Sequence, residues 1–184
     1  MNKSRSGFTI VELLIVIVVI GILAAITIVA FNGVQKRARD NTRSSDIASL
    51  QKALELYRVD HGKYPSYTPM GTNAPSGFTG RFGSSYSYSI ATDDSWIKNL
   101  ETSGVISQAP VDPINDTSHY YLYWSSGVNG YGACKEPFYV LGVFGYENGQ
   151  VPANSHSLSC TEGTTVGEWG ETSSLAIFSN IQRP

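Results

Sequence analysis

Residues Phe8 to Phe31 read FTIVELLIVIVVIGILAAITIVAF, a run of 24 residues that carries a single charge, Glu12. Coiled as an α-helix rising about 1.5 Å per residue, the run reaches about 36 Å, enough to cross a hydrocarbon layer about 30 Å thick with some tilt. A membrane span is the first constraint on this chain, and the rest must fold beside it. An ordinary secretory signal shares the basic start and the apolar stretch. It does not carry an acid within that stretch, however, and the nearest approach to a small-x-small cleavage site is Leu23-Ala24-Ala25.

Glu12 is the most informative single residue. An ionisable group inside a span costs a few kcal/mol even on mild insertion scales, so it is usually there for a partner or a pathway. The competing reading is that Glu12, close to the apolar boundary, snorkels to the headgroups at little cost. Lys3 and Arg5 precede the span, while Lys36, Arg37, Arg39 and Arg43 follow it, so positive charge alone does not orient it.

The chain has 184 residues, suited to one domain plus an appendage, and only 15% are charged. Residues 32–63 hold seven basic against four acidic side chains, a net of +3, whereas residues 64–184 hold four against ten, a net of −6. An acidic head lacks the basic groups that neutralise phosphates, so no specific nucleic-acid binding is expected. The two cysteines, Cys134 and Cys160, are the minimum for a disulfide, and zinc is a poor alternative because none of the three histidines stands at ligand spacing to either. Bridged, they would stabilise the head by about 3 to 4 kcal/mol and imply an oxidising compartment, which places the head outside the cytoplasm.

Ile47, Leu50, Leu54 and Tyr57 recur at helical spacing beyond the span, with charges between them that include Lys36 with Asp40 and Glu55 with Arg58. Gly62 and Pro65 stop the pattern, predicting one helix from about Phe8 to about His61, on the order of 80 Å long. The basic group Lys36, Arg37, Arg39 and Arg43 reads equally as a contact for lipid headgroups, and later for acidic heads, or as a solvated face. Residues 66–89 read as a long surface excursion with a short strand at 86–91. Thr92 or Asp93 would cap a short helix carrying Trp96, Ile97 and Leu100 and ending at Gly104. Strands are expected at 119–124, 138–146 and 175–178. The fold class is α+β: a long N-terminal helix, transmembrane then amphipathic, packed on a small antiparallel sheet.

Nothing here assigns a reaction. His61, His119 and His156 are scattered, and neither a zinc-protease motif, a nucleophile elbow nor a phosphate loop is present. Asp112, Asn115 and Asp116 fit no dedicated calcium loop and read as a turn. Asn115-Asp116-Thr117 matches a glycosylation sequon that short loops meet by chance. The tyrosine-rich head reads as strand packing rather than an adhesive face. No cofactor, metal or enzymatic activity is expected.

Residues Gly7-Phe8-Thr9-Ile10-Val11-Glu12-Leu13-Leu14-Ile15-Val16, behind the basic leader, resemble the class III signal of type IV pilins and type II secretion pseudopilins. The Tyr57 to Pro65 segment and the Pro110-Val111-Asp112-Pro113 turn before Tyr121-Leu122-Tyr123 are similar, less specifically, to helix-end and head segments of the same family. The resemblance implies removal of residues 1–7 by a prepilin peptidase cutting between Gly7 and Phe8, and N-methylation of the new Phe8 amino group. It also implies a pairing of the Glu12 carboxylate with that amino group on a neighbouring subunit, buried among apolar helices where an unmatched charge is costly. Gly21 stands where many members carry a helix-weakening glycine, but the proline many carry further on is Val29 here.

The resulting expectation is a structural pilin with four parts: a leader 1–7, a transmembrane and polymerisation helix 8–31, its amphipathic continuation 32–63 and an extracellular head 64–184. It would be a single-pass inner-membrane precursor, in contact with lipids before assembly, and then a surface filament of its own copies. The assembly platform and its ATPase would drive extraction. Adhesion and twitching motility are among the roles such filaments serve. The alternatives are a type II secretion pseudopilin and a membrane-tethered binding domain.

Overall fold

No proline interrupts residues 10–61, and α1 runs without a break from Ile10 to His61, 52 residues, passing through Gly21 and a stretch rich in β-branched Ile and Val. It ends as the sequence predicts: Gly62 takes φ of +70° and its N–H donates to the Arg58 carbonyl at 2.8 Å. The computed structural model describes residues 7–67, 75, 78, 86–91, 96–128, 134 and 136–148, except the side chain of 29, and the backbone of 159–161, 164–165 and 175–178. The chain divides into two compact units, Met1–Ala38 and Arg39–Pro184, and α1 belongs to both.

In the second unit, β1 (Ser87–Tyr88), β2 (Tyr120–Ser125), β3 (Tyr139–Phe144) and β6 (Leu175–Phe178) form an antiparallel sheet in the order β1-β2-β3-β6. A separate antiparallel pair, β4 (Ser159–Thr161) with β5 (Thr164–Thr165), was not expected from the sequence. The short helix α2 spans Lys98–Thr102. Thr92 and Asp93, the expected caps, lie outside the described residues; the position before α2 is Ile97, at φ of 43°.

The period-two alternation of β2 and β3 sorts their side chains onto two packed faces. Tyr121, Tyr123, Tyr139, Leu141 and Val143 meet Ile47, Leu50, Ala53 and Leu54 of α1 together with Trp96, Ile97 and Leu100. The helical stripe read from the sequence is therefore the core-facing stripe. Tyr120, Leu122, Phe138 and Val140 face the other way, where Tyr88, Ile90, Cys134 and Phe78 cover them. Phe78 corrects the surface-excursion expectation at its own position: its ring packs edge-on to Tyr88 and Tyr120 at 5.4 and 5.1 Å. The two central strands approach closely at one point. A Cβ on Gly142 would lie 2.6 Å from Leu122 Cγ, its cross-strand partner, so only glycine leaves Leu122 its place.

Candidate functional site

The first candidate region is the start of α1. Gly7 and Phe8 precede the helix, and Phe8 is 85% exposed. Glu12 does not stand alone. Its Oε2 accepts from the Thr9 backbone N–H at 2.9 Å and from the Thr9 hydroxyl at 2.7 Å, while the Glu12 N–H points back to Thr9 Oγ at 3.3 Å. This is a capping box, and Thr9-x-x-Glu12 is its sequence signature, legible from the chain although not anticipated. Two donors of Thr9 are thus aimed at one Glu12 oxygen on the first turn.

Among the described side chains, the large apolar ones of α1 from Ile10 to Val34 are exposed, including Leu14, Ile17, Ile20, Leu23 and Phe31. The helix is long and apolar enough to cross a membrane. Thr27, a polar residue in this stretch, donates its hydroxyl to the Leu23 carbonyl at 2.7 Å and so leaves no donor unpaired.

The second region is a buried ion hub in the second unit. Arg43 is 0% exposed. Its Nε and Nη2 donate to the two Asp112 oxygens at 2.7 and 3.1 Å, and its Nη1 donates to Asp40 at 2.8 Å and Glu147 at 3.1 Å. Arg39 Nη2 donates to the other Glu147 oxygen at 2.7 Å. Asp40 in turn accepts from the N–H groups of Glu147 and Asn148 at 3.1 Å each and from the Asn148 amide at 2.7 Å. Asp112 Oδ1 caps its own turn by accepting from the Ile114 N–H at 2.8 Å. One guanidinium therefore joins α1, the 112–115 turn and the 147–148 turn. Burial opposes its charge, but Asp112, Asp40 and Glu147 more than offset this and raise its pKa. Hydrogen bonding to Arg39, then to Arg43, lowers the Glu147 carboxyl to about 2.

This arrangement corrects the sequence reading of the basic group. Lys36 and Arg37 are exposed as either reading requires, but Arg43 is wholly buried on Asp112, and Arg39, partly exposed, is held by Glu147. Asp40 is spent on Arg43 and the 147–148 turn rather than on Lys36. Periodicity held the missing signal: 40, 43, 47, 50, 54 and 57 continue a single stripe at spacings of three and four, so Asp40 and Arg43 lie on the core side.

The remaining expected residues fall as follows. Cys134 is buried, while Cys160 lies in β4, where the backbone alone is described. Asp112 and Asn115 hold a turn, as read. The Asn115 side chain accepts from the Ser89 hydroxyl at 2.7 Å and donates to the Ser89 carbonyl at 3.2 Å, so the sequon amide is engaged inside the head. His61 stacks on Tyr57 at 4.0 Å and bonds its carbonyl at 3.0 Å, a helix-end role. His119 contacts Asp116 at 2.9 Å; His156 lies outside the described residues. Seven tyrosines of the head (Tyr64, Tyr88, Tyr120, Tyr121, Tyr123, Tyr139 and Tyr146) are buried, which is strand and core packing.

Comparison with known proteins finds relatives of both the N-terminal segment and the head. Residues 2–28 match the prokaryotic N-terminal methylation motif, and residues 31–134 match the family described as type II secretion system protein G. The type II secretion system core protein G of Pseudomonas aeruginosa is 30% identical over 150 residues, 80% of this chain and 90% of that protein. The protein of the same name from Vibrio cholerae is 26% identical over 167 residues, 91% of this chain and 93% of that protein. That of Aeromonas hydrophila is 40% identical over 75 residues, 40% of this chain and 52% of that protein. No solved structure matches. These relatives favour the pseudopilin alternative over the pilus expectation. With its methylation motif, its α+β architecture and a family match across more than half its length, the chain belongs to the type II secretion system protein G family, pseudopilins within the type IV pilin-like group, and is a structural subunit rather than an enzyme.

Proposed function

We propose that this chain is the pseudopilin that builds the filament of a type II secretion system. The observation that carries the reading is the similarity to the Pseudomonas aeruginosa core protein G across 90% of that protein, helix and head together. The division into leader 1–7, span 8–31, amphipathic continuation 32–63 and head 64–184 is part of the proposal. A prepilin peptidase cuts between Gly7 and Phe8, and the Phe8 amino group is N-methylated. The exposed apolar half of α1 holds the precursor among membrane lipids and then packs against other copies as the assembly platform and its ATPase extract it. Glu12 guides entry by pairing with the Phe8 amino group of a neighbour, exchanging its Thr9 donors for that cation. Cys134 joins Cys160; support comes from Cys134, which carries no free thiol.

The test has two arms. Mass spectrometry of the mature protein is expected to find N-methylated Phe8 at the amino terminus and Cys134 linked to Cys160; an intact Met1 refutes processing. Deleting the gene is expected to abolish release of secreted proteins into the medium and to leave sheared surface pili unchanged. The converse result restores the pilus reading, with adhesion or twitching motility as its role. Glu12→Ala should leave the protein folded in the membrane while filament yield falls at least tenfold, and an unchanged yield removes Glu12 from assembly.

A further inference from the structure

Four basic side chains follow the apolar run, and the structure divides them into two pairs. Arg39 and Arg43 belong to the ion hub, where Glu147 and Asp112 hold them. Lys36 and Arg37 are exposed, and neither has an ion pair or a side-chain hydrogen bond among the described residues. The cause lies within α1. Residues 32–35 and 41 carry no acid, so Asp40 is the one carboxylate that helical spacing would offer to Lys36 or Arg37. Its Oδ1 is taken by Arg43 and the Glu147 N–H, and its Oδ2 by the Asn148 N–H and side-chain amide. The hub thus leaves two adjacent positive charges on the helix surface with no acid to neutralise them.

Position along the helix singles out the same pair. Phe31 closes the apolar run, and Lys36 and Arg37 follow it by five and six residues, about 7.5 and 9 Å of helix. A bilayer about 40 to 45 Å thick around a hydrocarbon core of about 30 Å has a headgroup layer about 5 to 7.5 Å deep on each side. Tilt of the long span shortens the rise of both residues toward that layer. Their apolar stems can then lie along the helix while the charged ends reach phosphate. We propose that Lys36 and Arg37 form a docking collar for anionic phospholipid headgroups on the head side of the membrane, fixing the depth of the subunit before assembly. The inference rests on the reading of residues 8–31 as a membrane span. Arg37 brings a planar fork that can take two phosphate oxygens, and Lys36 a point charge. Zwitterionic headgroups carry an ammonium beside their phosphate, so the collar selects lipids of net negative charge.

The full-length chain, reconstituted into phosphatidylcholine vesicles with a minor share of phosphatidylglycerol, provides the test. A styrene–maleic acid copolymer releases it with its surrounding lipid, which mass spectrometry then counts. The natural chain should carry phosphatidylglycerol roughly threefold above the vesicle average, the order expected of two cations shared over a ring of lipids. Lys36→Gln with Arg37→Gln should lose most of that excess, and added salt should shrink it for the natural chain. Lys52→Gln with Lys63→Gln removes the same charge from exposed positions of the second unit and should leave the excess intact. Lys3 and Arg5 are present in every chain compared and cancel. The proposal is overturned if the Lys36 and Arg37 variant keeps the full excess, or if the Lys52 and Lys63 variant loses as much. It also falls if a zero-length carbodiimide joins Lys36 to a carboxylate of a second copy in these vesicles, which gives the pair to a neighbouring head. A chain that stays out of the vesicles refutes the span itself, a result separate from insertion without lipid preference.

Discussion

Residues 10–38 and 39–61 belong to one helix, yet they treat polarity in opposite ways. The first stretch turns its leucines, isoleucines and valines outward, and its one acid, Glu12, sits exposed on the opening turn with Thr9 as partner. The second turns Ile47, Leu50 and Leu54 inward and buries the charged pair Asp40 and Arg43 beside them. A helix has no intrinsic inside. What it meets decides which residues are covered, and a charge is tolerated in a core only when enough partners converge on it. In the first stretch the covering is left to other molecules; in the second the head supplies it.

The contrast breaks most visibly at Arg43. Arg43→Ala should cost the head about 3 to 5 kcal/mol in denaturant unfolding, whereas Lys36→Ala, two turns earlier and exposed, should stay within about 0.5 kcal/mol. Equal effects would mean that the hub does not hold the head together. Next in size, Leu54→Ala should cost about 2 to 5 kcal/mol, and Leu23→Ala should leave the same transition in place, because Leu54 lies in the core of the head and Leu23 is exposed. Within the sheet, Gly142→Ala should cost about 1 to 3 kcal/mol by displacing Leu122, and Leu122→Ala in the same chain should recover part of it, a coupling read from a double-mutant cycle.

Acid sharpens the comparison further. The Glu147 carboxyl lies at about 2 in the folded head against an ordinary 4.5, so its contribution is fully present above about pH 4.5 and drains away as pH falls toward 2. Asp46 has the opposite sign: burial raises its pKa, so protonation there favours the fold and offsets part of the loss in the upper end of that window. Glu147→Gln should therefore flatten the acid limb of a stability profile measured between pH 5 and 2. The smallest effect belongs to the helix start. Thr9→Ala should cost about 1 kcal/mol locally, seen as faster amide exchange over residues 10–13 with no change in head unfolding.

Several of these features were open to a reader of the chain. The span, the stripe through Leu54, the Gly62 stop and the strands β2, β3 and β6 all follow from periodicity and glycine chemistry, which act over a few residues. Thr9-x-x-Glu12 was equally local. Arg43 was half legible: its register with Ile47 placed it on the core side, but a charge reads as solvent-facing until its partner is known. That partner, Asp112, lies 69 residues away, and no local rule links the two. Phe78 was missed for a similar reason, since a Ser- and Gly-rich neighbourhood reads as surface even where one aromatic side chain returns to cover a sheet.

The sequence alone determined where the helix runs, which part of it suits a membrane and where β2, β3 and β6 fall, because hydropathy period, caps and turns are set by near neighbours. Only the tertiary structure decided which charges are structural and where the second face of the sheet finds its cover. Those outcomes depend on segments distant in sequence arriving together, and the low-dielectric interior then makes a buried carboxylate and guanidinium far more consequential than the same pair in water.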